Sequence, residues 1–485
     1  MSRTALFLLL AACVCFTLTA TAGFQATILE SGFREIADGV FPIFEPDLVK
    51  KIITTPIPDQ TGDTDTPIGH ITYDLTDIHI TAVNFGIIAI DIIAGGVSAG
   101  TTGASGHLTL NWHYNNHGFI HISDGGSADV DFDFSVNGAV GATNVGGRPH
   151  LKALSSAITV SNFDIHLHGG ASWLYQIFVN VFADKIKDAI VTTFQTEFTT
   201  GIDTTLNALL AKVPLTVPVD EYADLSTALT ADPLFQAASF LTVFESGQFL
   251  LHSAPTHSCP LTAKPLPTVF NKDYAQFFLS DYVFNCAGWV YLEAGALQKV
   301  FNQSDIPPEV PLKLNTTSFK YIIPKLYETY PNEAMEILMF APEAPVTTFN
   351  ASGAFIEAEV LANVSVLNPT VTNAFSVGIS VIAGLEIGLS DESNITGKIS
   401  EAEIILRLVS SSVGPIHLSL IDELFRLLID DVLIPLGNHY LDIGYPLPSF
   451  HGVHFVNATV EYGADYVALG TSVHAAKLLP ALLGA

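Results

Sequence analysis

The sequence predicts an α+β protein built from two similar domains, each with a long helix packed on a strongly bent antiparallel sheet. Two observations predict this class. Runs with the two-residue hydrophobic period of strands fill much of each half, separated by turns rich in Gly, Asn and Asp. In each half a helical stretch precedes these strands and a long amphipathic helix follows them, so the order of helix, meander and helix occurs twice.

The elements of the first half follow from a change of hydrophobic period. A helical stretch is predicted around residues 28–53. Alternation then predicts strands over 68–93, 106–113, 118–123, 128–136 and 157–167. Between 173 and 210 apolar residues recur every three or four positions, which predicts a long amphipathic helix.

The second half repeats this plan after a connector. Residues 213–267 hold prolines and short polar pieces, with one strand-like piece at 241–250. Beyond them the pattern predicts a helix at 283–300 and a second long helix from 418 to about 434. Strands are predicted at 312–317, 334–340, 353–366, 376–387, 398–409, 453–462 and 466–469.

The first 22 residues have the pattern of a secretory signal. Arg3 precedes an apolar run from 5 to 18, and Ala20-Thr21-Ala22 forms a cleavage site, so we expect secretion of a chain that starts at Gly23. No later window holds eighteen uninterrupted apolar residues, so no membrane span is expected.

The charge and hydrophobic content of the chain limit the kinds of ligand that it is expected to bind. The chain has 19 Lys and Arg against 48 Asp and Glu, a formal charge of −29, which gives it no electrostatic attraction to nucleic acid or to anionic membrane surfaces. Hydrophobic residues make up 49% of the chain and the mean hydropathy is +0.41. These values indicate either large cores or a cavity lined by apolar side chains.

Two sets of residues, the cysteines and the N-glycosylation sequons, are typical of a protein that passes through the secretory route. Beyond the signal only Cys259 and Cys286 remain, and they form either one disulfide or two separate buried thiols. Six N-glycosylation sequons all lie in the second half, whereas Asn368 precedes a proline and does not count. The six start at Asn302, Asn315, Asn350, Asn363, Asn394 and Asn457.

The segment from 280 to 297 predicts a helix with two apolar faces, because two neighbouring stripes are uncharged. One stripe contains Val283, Ala287, Val290, Ala294 and Leu297, and the other contains Phe284, Gly288, Tyr291 and Gly295. Such a helix is either an ordinary core helix or one whose second face lines a cavity for an apolar ligand.

Three patterns that could carry other chemistry favour a structural interpretation. Gly96 to Gly100 matches the G-x-S-x-G nucleophile motif around Ser98, but the loop expected after it favours a hairpin tip over a serine esterase. Asp129, Asp131 and Asp133 alternate with apolar residues and are expected to share the solvent face of a strand. Neither they nor the histidines at 113, 117, 121, 166 and 168 complete a metal-ligand set, so no metal is expected.

Several segments, in order along the chain, resemble the family of bactericidal/permeability-increasing protein, lipopolysaccharide-binding protein and the plasma lipid-transfer proteins. They are Ile165 to His168 followed by Trp173-Leu174, then Ser280-Asp281-Tyr282, Phe284-Asn285, Val290-Tyr291, Glu293-Ala294-Gly295, Gly414-Pro415 and Gly444 to Pro448. The resemblance implies two similar elongated barrels, each a highly curved antiparallel sheet wrapped on a long helix, joined by a central sheet into a boomerang. It also implies an apolar tunnel in each barrel that holds a phospholipid or a similar lipid.

With this resemblance the domains become a signal peptide at 1–22, an N-terminal lipid-binding barrel at 23–212, a connector and central sheet at 213–267, and a C-terminal lipid-binding barrel at 268–485. By motif match, the expected contacts of the second tunnel are Phe284, Ala287, Val290, Tyr291 and Ala294. By amphipathic pattern, those of the first are Ile28, Phe33, Ile36, Ile177, Phe178 and Val181. Any of these residues is alternatively ordinary core.

The chain departs from the family at two places. The usual disulfide of the family lies in the amino-terminal half, where this chain has no cysteine beyond the signal. Members that bind lipopolysaccharide have basic side chains at the tip of the first barrel, whereas the matching loops here, 59–65 and 95–106, contain none, and Arg148 and Lys152 are the only cations near a third loop.

The leading hypothesis is a secreted, glycosylated, monomeric lipid-binding or lipid-transfer protein without cofactor or enzymatic activity. Its expected partners are phospholipid or another lipid, and transiently the membranes or lipid particles that supply it. The alternatives are an innate-defence protein that recognises microbial lipids, a serine esterase at Ser98, and a structural β-protein with solid cores.

Overall fold

The structure is a computed structural model that describes residues 21–66, 69–117, 122–169, 175–269, 273–306, 313–368, 370–390, 394–446 and 454–474. The signal peptide falls almost wholly outside these residues and stays a prediction. The described chain forms two barrels and a central sheet, which confirms the predicted α+β class of two similar barrels joined in a boomerang.

The N-terminal barrel is a seven-stranded antiparallel sheet wrapped on two helices, α1 (Glu30–Thr54) and α2 (Tyr175–Thr200). Its sheet has the order β2-β3-β6-β7-β5-β4, with β8 paired to β7. The strands are β2 (Gln60–Thr66), β3 (Gly69–Asn84), β4 (Ile87–Ile93), β5 (Gly96–Thr102), β6 (Ala104–Asn116), β7 (Ser123–Val145) and β8 (Arg148–His168). After α2 the helix continues through a π-helical turn, Gly201–Leu206, into the short α3 (Asn207–Leu210).

Alternation places the core of this barrel inside the curve. Alternate residues of β3, such as Ile71, Tyr73 and Leu75, are buried and face α2. From the helix, Phe182 and Ile186 fill the same core, with the rings of Tyr73 and Phe182 5.2 Å apart. The long helix is therefore the inner support around which the sheet bends.

The central sheet joins the two ends of the chain, in the order β11-β12-β1-β14-β23-β22. Its strands are β1 (Phe24–Leu29), β11 (Leu234–Gln236), β12 (Phe240–Glu245), β14 (Ala275–Ser280), β22 (His454–Gly463) and β23 (Tyr466–His474). A three-stranded sheet beside it contains β9 (Thr216–Pro218), β10 (Ala223–Ser226) and β13 (Gln248–Leu251). Helix α4 (Asp281–Glu293) follows β14 directly.

The C-terminal barrel has the order β15-β16-β18-β19-β20-β21, with β17 paired to β18. Its strands are β15 (Gln298–Phe301), β16 (Met335–Phe340), β17 (Val346–Asn350), β18 (Gly353–Val366), β19 (Thr372–Leu389), β20 (Asn394–Ser411) and β21 (Tyr445–Pro446). The short α5 (Pro324–Thr329) lies between β15 and β16, and α6 (Asp422–Leu428) continues through the π-helical turn Ile429–Leu433 into α7 (Ile434–Ile443). Short 3-10 turns occur at Gln303–Asp305 and Leu418–Leu420.

Three predicted helix boundaries were wrong. The second long helix was expected to end at about 434, but it continues to Ile443. The first helix begins at Glu30, because Ile28 belongs to β1 and pairs with Leu241 and Ala275 on either side. Helix α4 ends at Glu293, since Gly295 adopts a φ of 69° that terminates the helix.

Several loop and strand assignments also need correction. The predicted loops at 59–65 and 95–106 are largely strands: β2, β5 and the start of β6. These segments have few apolar residues and form through backbone pairing. Within 313–317 only an isolated bridge from Asn315 to Ala334 is formed. The piece at 241–250 divides into β12 and β13, which join different sheets.

Candidate lipid-binding site

Each barrel has an apolar interior, and some of the apolar side chains at the margin of that interior are only partly buried. In the N-terminal barrel, side chains such as Val136, Val160 and Phe194 pack against the core while keeping accessible surface. In the C-terminal barrel, Leu406 and Leu433 do the same. A margin of this kind gives an acyl chain apolar surface to cover.

Helix α4 lies outside the core of the C-terminal barrel. That core is built from β16, β18, β19, β20 and α6, whereas α4 packs against the three-stranded sheet, β14 and β17. Val290 is 0% exposed and packs with Ala223 and Leu251, so it has no free surface in this structure. Phe284 is half-buried, with its ring centroid 5.2 Å from that of Phe349 in an edge-on contact.

The other expected residues on this helix also have protein surroundings. The hydroxyl group of Tyr291 donates a hydrogen bond of 2.7 Å to Asp220. Ala287 and Ala294 are half-buried, and Ala294 is the last residue before the turn at Gly295. Their contact with lipid stays a prediction.

The residues expected to line the first tunnel lie in two places. Ile28, Phe33 and Ile36 are half-buried near the junction of β1 and α1, and Ile36 packs against the core between the central sheet and the C-terminal barrel. Ile177, Phe178 and Val181 all lie on α2, but their side chains are outside what the structure describes. The role of all six stays a prediction.

The predicted disulfide is present. The sulfur atoms of Cys259 and Cys286 are 2.05 Å apart, and the bridge ties the connector to the middle of α4. Tyr282 and Val283 complete the buried cluster around it. The alternative of two separate thiols was wrong.

The sequons differ in their surroundings. Asn302 is exposed at the start of a 3-10 turn, and Asn350 is exposed at the end of β17. Asn315, Asn363 and Asn394 are half-buried, and the side-chain oxygen of Asn363 accepts a hydrogen bond of 2.7 Å from Ser376. Asn457 is in β22, but its side chain is outside the described set. Glycosylation stays a prediction.

Ser98 lies in the middle of β5, where it pairs with Asp91 of β4 and Ala139 of β7. A nucleophile elbow needs a strand that turns directly into a helix, whereas this strand continues into β6. The expected hairpin tip was therefore wrong: the turn is at Gly95, and the motif itself is strand.

The three aspartates of β7 do share the outer face of the barrel, where histidines and an asparagine of neighbouring strands bind them. Asp131 contacts Nδ1 of His107 at 2.8 Å, and Asp129 contacts Nε2 of His168 at 2.6 Å. Asp133 accepts a bond of 2.6 Å from Asn162, beside a groove of about 350 Å³. These pairings could not be predicted from the local sequence pattern, because they depend on strand register.

In the part of the chain that the structure describes, no group of three or more His, Cys, Asp and Glu side chains forms a metal-binding set. His121 lies outside that part. No helix within the same residues is long and apolar enough to cross a membrane.

The end of the N-terminal barrel remote from the central sheet is acidic where it is described. At the β2–β3 hairpin, Asp63 and Asp65 lie 3.6 Å and 2.9 Å from the ring nitrogens of His70. The segment 95–106 is not at this end, because β5 pairs with the part of β7 nearer the central sheet. The guanidinium group of Arg148 donates to the carbonyl oxygen of Val213.

One carboxyl group that the sequence did not single out lies in an apolar setting. Glu245 is opposite Phe24 in the central sheet, so both side chains are on the face that packs against the C-terminal barrel. Burial raises the pKa of Glu245 from 4.5 to about 7. Among the described residues, no hydrogen bond or ion pair to its carboxyl group is formed.

Comparisons with known proteins agree with this architecture. The model of the LBP / BPI / CETP family N-terminal domain matches residues 47–209, and that of the C-terminal domain matches residues 219–475. The chain therefore belongs to the LBP / BPI / CETP family, whose members are lipid-binding proteins rather than enzymes.

Relatives match over most of their length. The chain is 28% identical over 439 residues to a bactericidal permeability-increasing protein of Sebastes schlegelii, covering 87% of this chain and 90% of that one. It is 30% identical over 411 residues to a putative BPI/LBP family protein of Arabidopsis thaliana, covering 80% and 81%. It is 27% identical over 466 residues to human lipopolysaccharide-binding protein, covering 94% of each. A crystal structure of lipopolysaccharide binding protein shares the fold, with a TM-score of 0.60, 22% identity and coverage of 93% and 99%.

Proposed function

We propose that this chain is a secreted carrier of phospholipid or a similar lipid, with no catalytic activity and no cofactor. The observation that carries the proposal is the partly enclosed apolar margin of each barrel, in a chain of a lipid-binding family. Each methylene transferred from water to such an interior contributes about 0.8 kcal/mol, so an acyl chain needs few polar contacts to bind.

The lining of the two sites follows from residual surface. Ile28, Phe33, Ile36 and Phe284 keep accessible apolar surface and are the best candidates for contact with lipid. Val290 has none, and it would contact lipid only if α4 moved away from the three-stranded sheet.

Mass spectrometry of lipid extracted from the purified secreted protein tests the proposal. We expect phospholipid at up to two molecules per chain, and uptake of a fluorescent phosphatidylcholine after delipidation. Ile36→Ser is expected to lower the bound amount, while the exposed-face control Asn111→Ala leaves it unchanged. Absence of both co-purified lipid and uptake would refute lipid carriage.

A second candidate is recognition of microbial lipid, favoured by the lipopolysaccharide-binding relatives. The acidic hairpin of Asp63 and Asp65 and the charge of −29 oppose contact with anionic lipid phosphates. Affinity for lipid A is therefore expected to be weak at physiological salt, and tight binding would favour this candidate. Labelling of Ser98 by a fluorophosphonate, abolished by Ser98→Ala, would instead indicate an esterase.

A further inference from the structure

In each barrel the last long strand of the sheet meets the long helix along its open edge. We call this line of contact the seam. In the N-terminal barrel it runs between β8 and the helix from α2 to α3, and in the C-terminal barrel between β20 and the helix from α6 to α7. Strand β8 pairs with β7 along one edge and meets the helix along its other edge. Strand β20 pairs with β19 along one edge. Along its other edge it pairs with β21 at Asn394 and Ile395 and then meets the helix.

One asparagine on each helix replaces the missing strand partner. In the N-terminal seam the amide nitrogen of Leu151 donates to Asn207 Oδ1 at 2.8 Å, and Asn207 Nδ2 donates to the carbonyl oxygen of Leu151 at 2.9 Å. In the C-terminal seam Ile399 and Asn438 form the same two bonds, at 2.6 Å and 3.2 Å. Each side-chain amide thus satisfies one residue of the strand edge as a neighbouring strand would.

A second contact recurs at the same spacing. Gln195 Nε2 donates to the carbonyl oxygen of Ser156 at 3.3 Å, and Arg426 Nη2 donates to that of Ile404 at 2.9 Å. In both seams the two anchored helix residues are twelve positions apart, and their strand partners are five apart. Twelve helical residues rise about 18 Å and five strand residues about 17 Å, so the helix follows the strand edge.

The π-helical turns explain how both anchors face the strand. At about 100° per residue, twelve α-helical positions would leave the second side chain about 120° away from the first. A π-helical turn inserts one extra residue, so the rotation over twelve positions equals that of about eleven α-helical positions. The angle between the two anchoring side chains then falls to about 20°. Both helices contain such a turn between their anchors, Gly201–Leu206 and Ile429–Leu433.

The seam has fewer hydrogen bonds than the strand pairs next to it in each barrel. Strands β7 and β8, and likewise β19 and β20, are joined by backbone pairing along most of their length. The seam is instead joined by side chains that are half-buried or exposed, so water replaces their hydrogen bonds at small net cost. Apolar side chains with free surface lie just inside: Val160 and Phe194 in one barrel, Leu406 and Leu433 in the other.

We propose that lipid enters and leaves each barrel through its seam, and that Asn207 and Asn438 are positioning residues that hold the two seams closed. This inference rests on the proposed lipid carriage. Opening requires the loss of the two bonds at the asparagine and of the single bond at Gln195 or Arg426. An acyl chain then passes between the helix and the strand edge without unpairing any strand.

The test measures how fast a fluorescent phosphatidylcholine leaves the loaded full-length protein for unlabelled phosphatidylcholine vesicles. Asn207→Ala is expected to accelerate release from the N-terminal barrel on the order of tenfold. Asn438→Ala is expected to do the same for the C-terminal barrel, so each variant speeds up a different kinetic phase. Asn111→Ala, which removes a hydrogen bond to Asp77 on the outer face, is the matched control and should release at the wild-type rate.

A locked seam provides the converse test and does not depend on how well the alanine variants fold. Gln195→Cys with Ser156→Cys, joined by a short bismaleimide, should slow release from the N-terminal barrel at least tenfold. Wild-type release rates in the alanine variants or in the locked protein would overturn the inference. The asparagines would then serve only to satisfy the backbone hydrogen-bonding groups of the strand edge. A wild-type protein that takes up no probe would refute lipid carriage itself, a result distinguishable from the first.

Discussion

Glu245→Gln is expected to stabilise this protein at alkaline pH and to leave its stability unchanged at acidic pH. The glutamate side chain shares a sheet face with Phe24, in an apolar layer that also contains Phe277 and Leu279. Its pKa is raised by burial from 4.5 to about 7. Glutamine has the size of the protonated carboxyl group and carries no charge at any pH.

The sign and the magnitude follow from linkage between protonation and folding. Below pH 4.5 the group is protonated in both the folded and the unfolded chain, so it has no effect on stability. Between pH 4.5 and 7 the folded chain keeps a proton that the unfolded chain has lost, and the free energy of unfolding falls as pH rises. The full pKa difference corresponds to a loss of about 3 kcal/mol above pH 7.

Urea denaturation of wild type and variant at pH 4 and pH 8 measures this effect, because other titrating groups cancel in the difference. The variant should match wild type within about 0.5 kcal/mol at pH 4 and exceed it by up to about 3 kcal/mol at pH 8. Glu386→Gln, at an exposed position of β19, is the control and should stay within about 0.5 kcal/mol at both pH values. A Glu245→Gln difference that is the same at both pH values would refute the assignment.

Three further changes test the packing around the proposed site. Replacing Cys259 and Cys286 by serine should lower the free energy of unfolding by about 3 kcal/mol in non-reducing urea titrations, since the bridge closes a loop across a separation of 27 residues; a loss below about 1 kcal/mol would contradict this. Gly138→Ala would place a Cβ atom 2.8 Å from the ring of Phe198. It should lower the thermal midpoint, with a loss of about 1–3 kcal/mol in the free energy of unfolding. In a chain that already has Phe198→Ala, adding Gly138→Ala should cause no such loss. Tyr291→Phe removes the bond to a carboxylate in the three-stranded region and should cost about 1–3 kcal/mol in urea, whereas an unchanged midpoint would show that this bond is unimportant.

Sequence periodicity predicted the barrels well because each has a buried inner face. Strand β18 begins and ends at the predicted residues 353 and 366, and the buried positions of β3 alternate as expected. Prediction failed where backbone pairing decides the structure. Strand β2 is polar and has no apolar face, yet it forms because all seven of its residues pair with β3.

The candidate site was predicted less well, because its geometry depends on contacts between distant parts of the chain. Phe284 and Val290 are close on one helix, but Phe284 packs beside β17 and Val290 beside the three-stranded sheet. Nothing in the local sequence distinguishes a helix that lines a barrel from one that packs between sheets, since both require two apolar faces.

By itself the sequence determined the α+β class, the duplicated order of helix, meander and helix, and the apolar character of both barrels, because these depend on local periodicity and composition. The tertiary structure alone decided the register that pairs Asp129 with His168 and the burial that shifts the pKa of Glu245. It also decided the two matched seams, since Asn207 and Asn438 acquire their role only when a strand edge lies within hydrogen-bonding distance of the helix.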